Sequence, residues 1–324
     1  MKRRSLVGLL GSTMLGTFSR HVPAQTKFPV RTLQLSVPTG GGSGGDLWAR
    51  ALVGPWGDEL GQSMIVDNRP GGGGMLSIDY VAHSTADGHT LLMGNSSLVT
   101  NQLMFRKMPY DAFADVVPIG RIGIAPLIFV VEPSLGITTI NDFVRVAKGK
   151  NFNYGSFAVG STQHLFAHLL SEVYGLGMTH IAYKGEAAAM PDLLAGRIQC
   201  GFFTVTTVKS FVRSGKLQAL GVLTPQRSSS LPSVPPLQEQ LHDPRFSWLG
   251  WIGVFAPART PKDVQAKLSA TMEKVIKRPD VRVKLEEQDM LVEWAGPEAL
   301  LAMEHETLET MRGLRSLAKL SYED

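Results

Sequence analysis

The densest chemistry in the chain is the run Pro38-Thr39-Gly40-Gly41-Gly42-Ser43-Gly44-Gly45-Asp46. Glycine lacks a Cβ, so such a run turns tightly, adopts left-handed dihedrals and lets a ligand approach the backbone. It follows an alternating stretch, Thr32 to Val37, and precedes Leu47, Ala51, Leu52 and Trp56 at helical spacing. A glycine loop between a strand and a helix aims unpaired first-turn amides outward, a neutral trap for a carboxylate or phosphate. The candidate contacts are Thr39, Gly40, Gly41, Gly42, Ser43, Gly44 and Asp46. Asp46 either caps the helix or meets a polar group of the ligand.

The same run contains Gly40-x-Gly42-x-x-Gly45, with Asp67 following 22 residues after Gly45, near where a ribose-binding acid belongs. That makes a nucleotide-type loop in an exported enzyme one alternative. The match is cheap, however, because five of six consecutive positions are glycine. No Gly-Lys-Ser/Thr follows, which excludes a P-loop.

Three further clusters offer the same physics: Asn68-Arg69-Pro70-Gly71 to Gly74, Gly94-Asn95-Ser96-Ser97, and Tyr154-Gly155-Ser156 through Thr162. From these, Asn95, Ser96, Ser97, Ser156, Phe157, Gly160, Ser161 and Thr162 join the candidate ligand contacts. Loops at the carboxyl ends of parallel strands are where α/β proteins bind small molecules.

Catalytic patterns are thin. His164 and His168 stand four apart, but no glutamate completes a metalloprotease signature and no third ligand is evident. Ser316-Leu-Ala-Lys319 lacks the Lys-Thr-Gly that a β-lactamase would add, and there is no Gly-x-Ser-x-Gly elbow. The single cysteine, Cys200, sits in an apolar run and reads as a buried, inert thiol. Neither a metal nor a cofactor is expected, and binding is favoured over turnover.

The elements that must position these loops follow from periodicity. Strands are expected at 32–37, 64–66 and 90–93, with helices at 46–60 and 76–82 between them. The apolar run 122–131 reads as a strand crossing into a second unit. That unit holds helices at 139–148, 160–174, 187–195 and 205–213, and strands at 152–154, 180–183 and 198–203. Leu217 to Leu223 reads as the strand returning to the first unit, followed by a strand at 248–255 and helices at 261–278, 280–288 and 297–318. The fold class is therefore α/β, two lobes each built on a mostly parallel sheet flanked by helices. Residues 25–124 and 224–324 form the first lobe and 125–223 the inserted second, with two crossing strands as hinge and the ligand cleft between.

The 324 residues are 44% apolar and 19% charged, enough for substantial cores. The formal charge of +4 resides in the first 24 residues, through Lys2, Arg3, Arg4 and Arg20; the remainder carries 28 basic and 28 acidic residues. A basic start, an apolar stretch from Leu6 to Phe18 and Val22-Pro23-Ala24 read as a signal peptide cleaved after Ala24, by a general secretory or twin-arginine route. The mature neutral chain gives no reason to expect a nucleic-acid partner.

These residues resemble the solute-binding subunits of tripartite tricarboxylate transporters, the bacterial Bug family, from Phe28 to about residue 310. The resemblance rests on an ordered set: Val37-Pro38 to Asp46, Asp67-Asn68-Arg69-Pro70-Gly71 to Gly74, Asp87-Gly88-His89-Thr90, Met108-Pro109-Tyr110-Asp111, Tyr154 to His164, His180 to Gly185, Leu231 to Pro235, and Trp251 to Pro257 with Thr260-Pro261. It implies a type II periplasmic-binding fold closing on a small organic anion, held by backbone amides and hydroxyls with help from water. It further implies a monomer that delivers its ligand to permease subunits driven by an ion gradient. Some relatives instead act as sensors for a signalling partner.

Departures from the family pattern bear on the ligand. Thr39-Gly40-Gly41 replace an aromatic and Ala-Pro, Gly45 replaces a Ser or Thr, and Ala182 replaces a proline. Gln199-Cys200 and Phe203-Thr204-Val205-Thr206 stand where the family often carries an acid, which argues against an amino-acid ligand. Phe203 and Thr204 complete the candidate contacts. With Phe157 they suggest a partly apolar or aromatic acid; a small aliphatic di- or tricarboxylate is the other expectation.

Overall fold

The computed structural model describes residues 28–320. The leader expected at 1–24 lies outside the described residues. Among them no helix is long and apolar enough to cross a membrane.

The first lobe opens with β1 (Leu33–Val37), α1 (Gly44–Leu60), β2 (Met64–Asn68), α2 (Met75–Ala82), β3 (Thr90–Asn95), α3 (Ser97–Met104) and β4 (Val116–Ile124). The second follows as β5 (Leu127–Val131), α4 (Ile140–Ala147), β6 (Asn153–Ser156), α5 (Thr162–Tyr174), β7 (Thr179–Ala182), α6 (Glu186–Leu194), β8 (Cys200–Thr204), α7 (Val205–Arg213) and β9 (Gln218–Val222). After the short α8 (Leu237–Leu241), β10 (Trp251–Pro257), α9 (Lys262–Ile276), α10 (Pro279–Glu287), β11 (Leu291–Ala295) and α11 (Pro297–Leu317) complete the chain. Local signals set these limits: α1 ends at Gly61 in the left-handed region, and Ser161 caps α5 by accepting from the His164 amide.

Two sheets carry the lobes, in the orders β11-β4-β10-β3-β1-β2 and β7-β6-β8-β5-β9. Each is mixed rather than mostly parallel. β1 runs parallel to β2 and β3, but β10 is antiparallel to β3 and β4, and β11 to β4. In the second sheet β6 runs parallel to β7 and β8, while β5 is antiparallel to β8 and β9. The antiparallel members are the strands beside the crossings, which have no βαβ connection to impose a parallel direction.

The expected single strand at 122–131 is two strands in different sheets. Proline has no amide hydrogen for a ladder, and the chain changes sheet at Ala125-Pro126. The expected return at 217–223 is also corrected: β9 stays in the second sheet beside β5. The boundary at 224 shifts with it, because Leu237 and Phe246 bury themselves in the second lobe's core with Phe129 and Phe143. So do Met311 and Leu314 of α11 and Ala318, which caps it, so that the last turns of α11 brace the inserted lobe. Only at β10 does the chain rejoin the first sheet. The two crossings touch where the Ala125 amide donates to the Gly250 carbonyl at 2.8 Å.

Candidate functional site

The carboxyl ends of the parallel strands β1, β3, β6 and β8 face one cleft between the lobes. On the first lobe the floor is Thr39, Ser43, Gly44 and Gly45 at the start of α1, and Asn95, Ser96 and Ser97 at the start of α3. Two helix N-termini thus meet in one place, each with first-turn amides that favour an anion. Asn95 shapes the second by accepting from the Ser97 amide at 2.9 Å. The Ser96 hydroxyl is buried in the cleft wall with no hydrogen-bond partner among the described residues, a donor free for a ligand acceptor.

The walls are apolar: Trp48 from α1, Met93 from β3, Phe157 from the β6–α5 loop, and Trp248 and Trp251 at the return crossing. Among the described residues no lysine or arginine lines the cleft, and no group of three His, Cys, Asp or Glu could hold a metal. Among the described residues the one ionisable side chain lining it is Glu186, at the start of α6. Burial pushes its carboxyl above the usual range, opposed by hydrogen bonds from Thr204, Thr207 and Gln163. This arrangement suits capture of an anion by neutral dipoles, with apolar surfaces around its body.

The sequence matches the family described as tripartite tricarboxylate transporter family receptor over residues 49–309. The chain belongs to that family. The receptor is 32% identical over 303 residues to the UPF0065 protein in the tcbD-tcbE intergenic region of Pseudomonas sp. strain P51, covering 92% of this chain and 89% of that one. Among solved structures it resembles the periplasmic binding protein BugD, with TM-score 0.86 and 26% identity over 91% of this chain and all of that one. It also resembles Rpa4515 of R. palustris, with TM-score 0.87 and 28% identity over the same shares. The receptor is thus a periplasmic solute-binding protein of this transport family with the type II fold.

Of the residues singled out from the sequence, the receptor brings Thr39, Ser43, Gly44, Asn95, Ser96, Ser97, Phe157, Thr162 and Thr204 to the cleft. It places the others elsewhere. Gly40, Gly41 and Gly42 form the outer arch of the loop, with Gly41 and Gly42 exposed. Asp46 turns back onto that arch, accepting from the Gly42 amide at 2.9 Å and from Arg50. Those hydrogen bonds and the Arg50 charge hold its carboxyl below the usual range against the opposing, largest single effect of burial. Ser156 and Ser161 both donate to the Ala158 carbonyl, closing their own loop rather than facing a ligand. Gly160, with φ of +80°, approaches Asn101 and Phe105 of the first lobe. Phe203 points into the second lobe's core, fully buried with Ile128, Val130 and Val208, because alternate residues of β8 face opposite sides of its sheet. Cys200 is likewise buried, which pushes its thiol far above the usual range.

Sequence reading missed Trp48, Gln163 and Glu186 as lining residues. Trp48 carried a usable signal, since it stands one helical turn after Gly44 and so shares its face. Glu186 carried none: a glutamate in the first turn of a helix ordinarily reads as dipole stabilisation.

The lobes also touch on both flanks of the cleft. On one flank Thr100 of α3 donates to the Gly160 carbonyl at 3.1 Å. On the other, the Gln288 carbonyl accepts from Trp48 of the first lobe and Thr206 of the second, while Lys209 pairs with Asp289 at 2.7 Å. Asp289 is buried and has φ of +58°, a conformation that asparagine also tolerates. Asp289→Asn is therefore expected to fold normally but loosen closure, raising the dissociation constant about 3–10-fold through faster release. Stopped-flow tryptophan fluorescence measures this; an unchanged release rate would show that the pair takes no part in holding the lobes together.

Proposed function

We propose that the receptor closes on a single small organic carboxylate, gripping it from the first lobe with the Ser96 hydroxyl and the first-turn amides of α1. The observation that carries this reading is the buried, unpartnered Ser96 hydroxyl between two helix N-termini. The relative Rpa4515 was solved with adipate, which supports a carboxylate as the ligand class. The walls of Trp48, Phe157, Trp248 and Trp251 favour an apolar or aromatic body over a small, heavily hydrated polyacid. The receptor then acts as a monomer, after cleavage at Ala24, and delivers its ligand to the permease subunits of a tripartite transporter.

The test is thermal denaturation of residues 25–324 against a panel of aliphatic, aromatic and amino acids, after a denature-and-refold step to strip carried ligand. A carboxylate at 100 times its dissociation constant stabilises the folded form by ~2.7 kcal/mol. Ser96→Ala should weaken that ligand at least tenfold, as expected for losing a hydrogen bond to a charged group. Equal affinity in Ser96→Ala would remove the hydroxyl from the grip.

A further inference from the structure

Glu186 stands where a second anion would otherwise bind. Its Oε1 accepts from the Thr204 amide at 3.1 Å and from the Gln163 side chain. Its Oε2 accepts from the Thr204 hydroxyl at 2.6 Å and the Thr207 hydroxyl. Thr204 is the N-cap of α7, so this carboxyl sits on that helix's N-terminus and turns the nearby donors of the second-lobe wall toward itself. A carboxylate offers about four lone-pair sites, and all four are taken. The cleft is narrow here: a Cβ on Gly44, at the start of α1, would stand 3.5 Å from the Thr204 hydroxyl. A ligand carboxylate held by the first lobe therefore faces, across the cleft, a Thr204 whose amide and hydroxyl are already given to Glu186.

Building on the carboxylate reading above, we propose that Glu186 is a specificity-determining residue that permanently fills the second anion subsite, so that the receptor selects monocarboxylates and rejects dicarboxylates. The protein supplies, as its own side chain, the distal carboxylate that a diacid would bring. A diacid's second group reaching the start of α7 finds the Thr204, Thr207 and Gln163 donors taken and loses its hydration there without compensation, whether or not Glu186 carries charge. An ammonium group fares no better, because no acceptor site on Glu186 is left for it. The preferred ligand has one carboxylate and an uncharged body lying between Trp48 and Phe157.

Chain-matched pairs test this by calorimetry: hexanoate against adipate, and benzoate against terephthalate. The wild type should bind the monoacid of at least one pair about tenfold or more tightly than its diacid. Glu186→Ala frees the Thr204, Thr207 and Gln163 donors and should narrow that ratio at least fivefold, chiefly by strengthening the diacid. Glu186→Gln keeps the shape, removes the charge and should narrow it by a smaller factor; this variant decides the matter if Glu186→Ala does not fold. A wild type that binds the diacid as tightly as the monoacid overturns the inference, as does a ratio unchanged in the folded variant, while the carboxylate reading survives both. Binding of neither member of either pair overturns the carboxylate reading, and this inference with it.

Discussion

Gly44→Leu should abolish carboxylate binding, raising the dissociation constant at least a hundredfold, while leaving a folded protein. Gly44 is the first residue of α1 and has ordinary helical dihedrals, so a side chain is conformationally tolerated there. A Cβ would meet the Trp48 ring at 3.1 Å and reach toward Thr204 across the cleft. The rest of a leucine side chain must then occupy the space in front of the α1 amides, where the anion would sit. Gly42 is the instructive contrast. Its φ of +79° strains any other residue, but nothing lies within 4 Å of its Cβ position and it does not line the cleft. Gly42→Ala should therefore cost roughly 1–2 kcal/mol of stability and leave affinity nearly intact. Calorimetry with the ligand found by the thermal screen, beside urea unfolding of both variants, separates the two effects. A Gly44→Leu protein that binds like wild type would mean the anion sits elsewhere.

The second large effect concerns acid. Behind the β6–α5 loop, His164 and His180 stack at 3.9 Å between ring centroids, with Tyr154 against His180 at 5.0 Å. Ser156 donates its only hydrogen to Ala158, so in its 2.7 Å bond with His180 the imidazole Nε2 must be the donor. The Gly160 amide donates to His164 Nδ1. An imidazole that accepts at Nδ1 is neutral, which fixes the state of His164. Burial, followed by the neighbouring imidazoles, lowers His164 to about 3 and His180 to about 4. Unfolded histidine titrates near 6.5, so as pH falls below that value the unfolded chain takes up protons first. The stability these rings contribute is fully present above pH 6.5 and drains away as pH falls toward 4. At ~1.4 kcal/mol per pH unit per group, the loss by pH 5 is of the order of 2 kcal/mol for each ring.

Glu304 acts with the opposite sign. Burial raises its carboxyl to about 8, so its contribution to stability grows as pH falls from 8 toward 4.5. The informative measurement is therefore a difference. Urea unfolding of wild type and a His164→Gln/His180→Gln double variant at pH 7.5 and pH 5 should show the variant gaining about 2–4 kcal/mol relative to wild type. A stability difference independent of pH would mean that the rings are not neutral in the folded protein.

What could be read from the residues alone was whatever depends on neighbours in sequence. A glycine run after an alternating strand located the β1–α1 loop, a cluster of Gly, Ser and Thr located the β6–α5 loop, and apolar periodicity located α1, α5, α9 and α11 to within two residues. The same local order of motifs established the family and, with it, the two-lobed fold. Strand direction was not legible, since a parallel and an antiparallel neighbour leave the same apolar run in the chain. Nor was the placing of residues 224–248, whose Leu237 and Phe246 could have served either lobe's core.

Within the site, the split between cleft and scaffold was decided by tertiary structure alone. Ser96 and Ser156 look alike in sequence, each a hydroxyl at the end of a strand. One is left without a partner in the cleft, and the other is consumed by Ala158 and His180. A hydroxyl's role depends on which acceptors come within 3 Å, and those lie on segments that only folding brings together. Glu186 makes the point most plainly. Its identity is written in the chain, but Gln163, Thr204 and Thr207, the residues that turn it into an occupant of the cleft wall, meet it only after α5, α6 and α7 have packed.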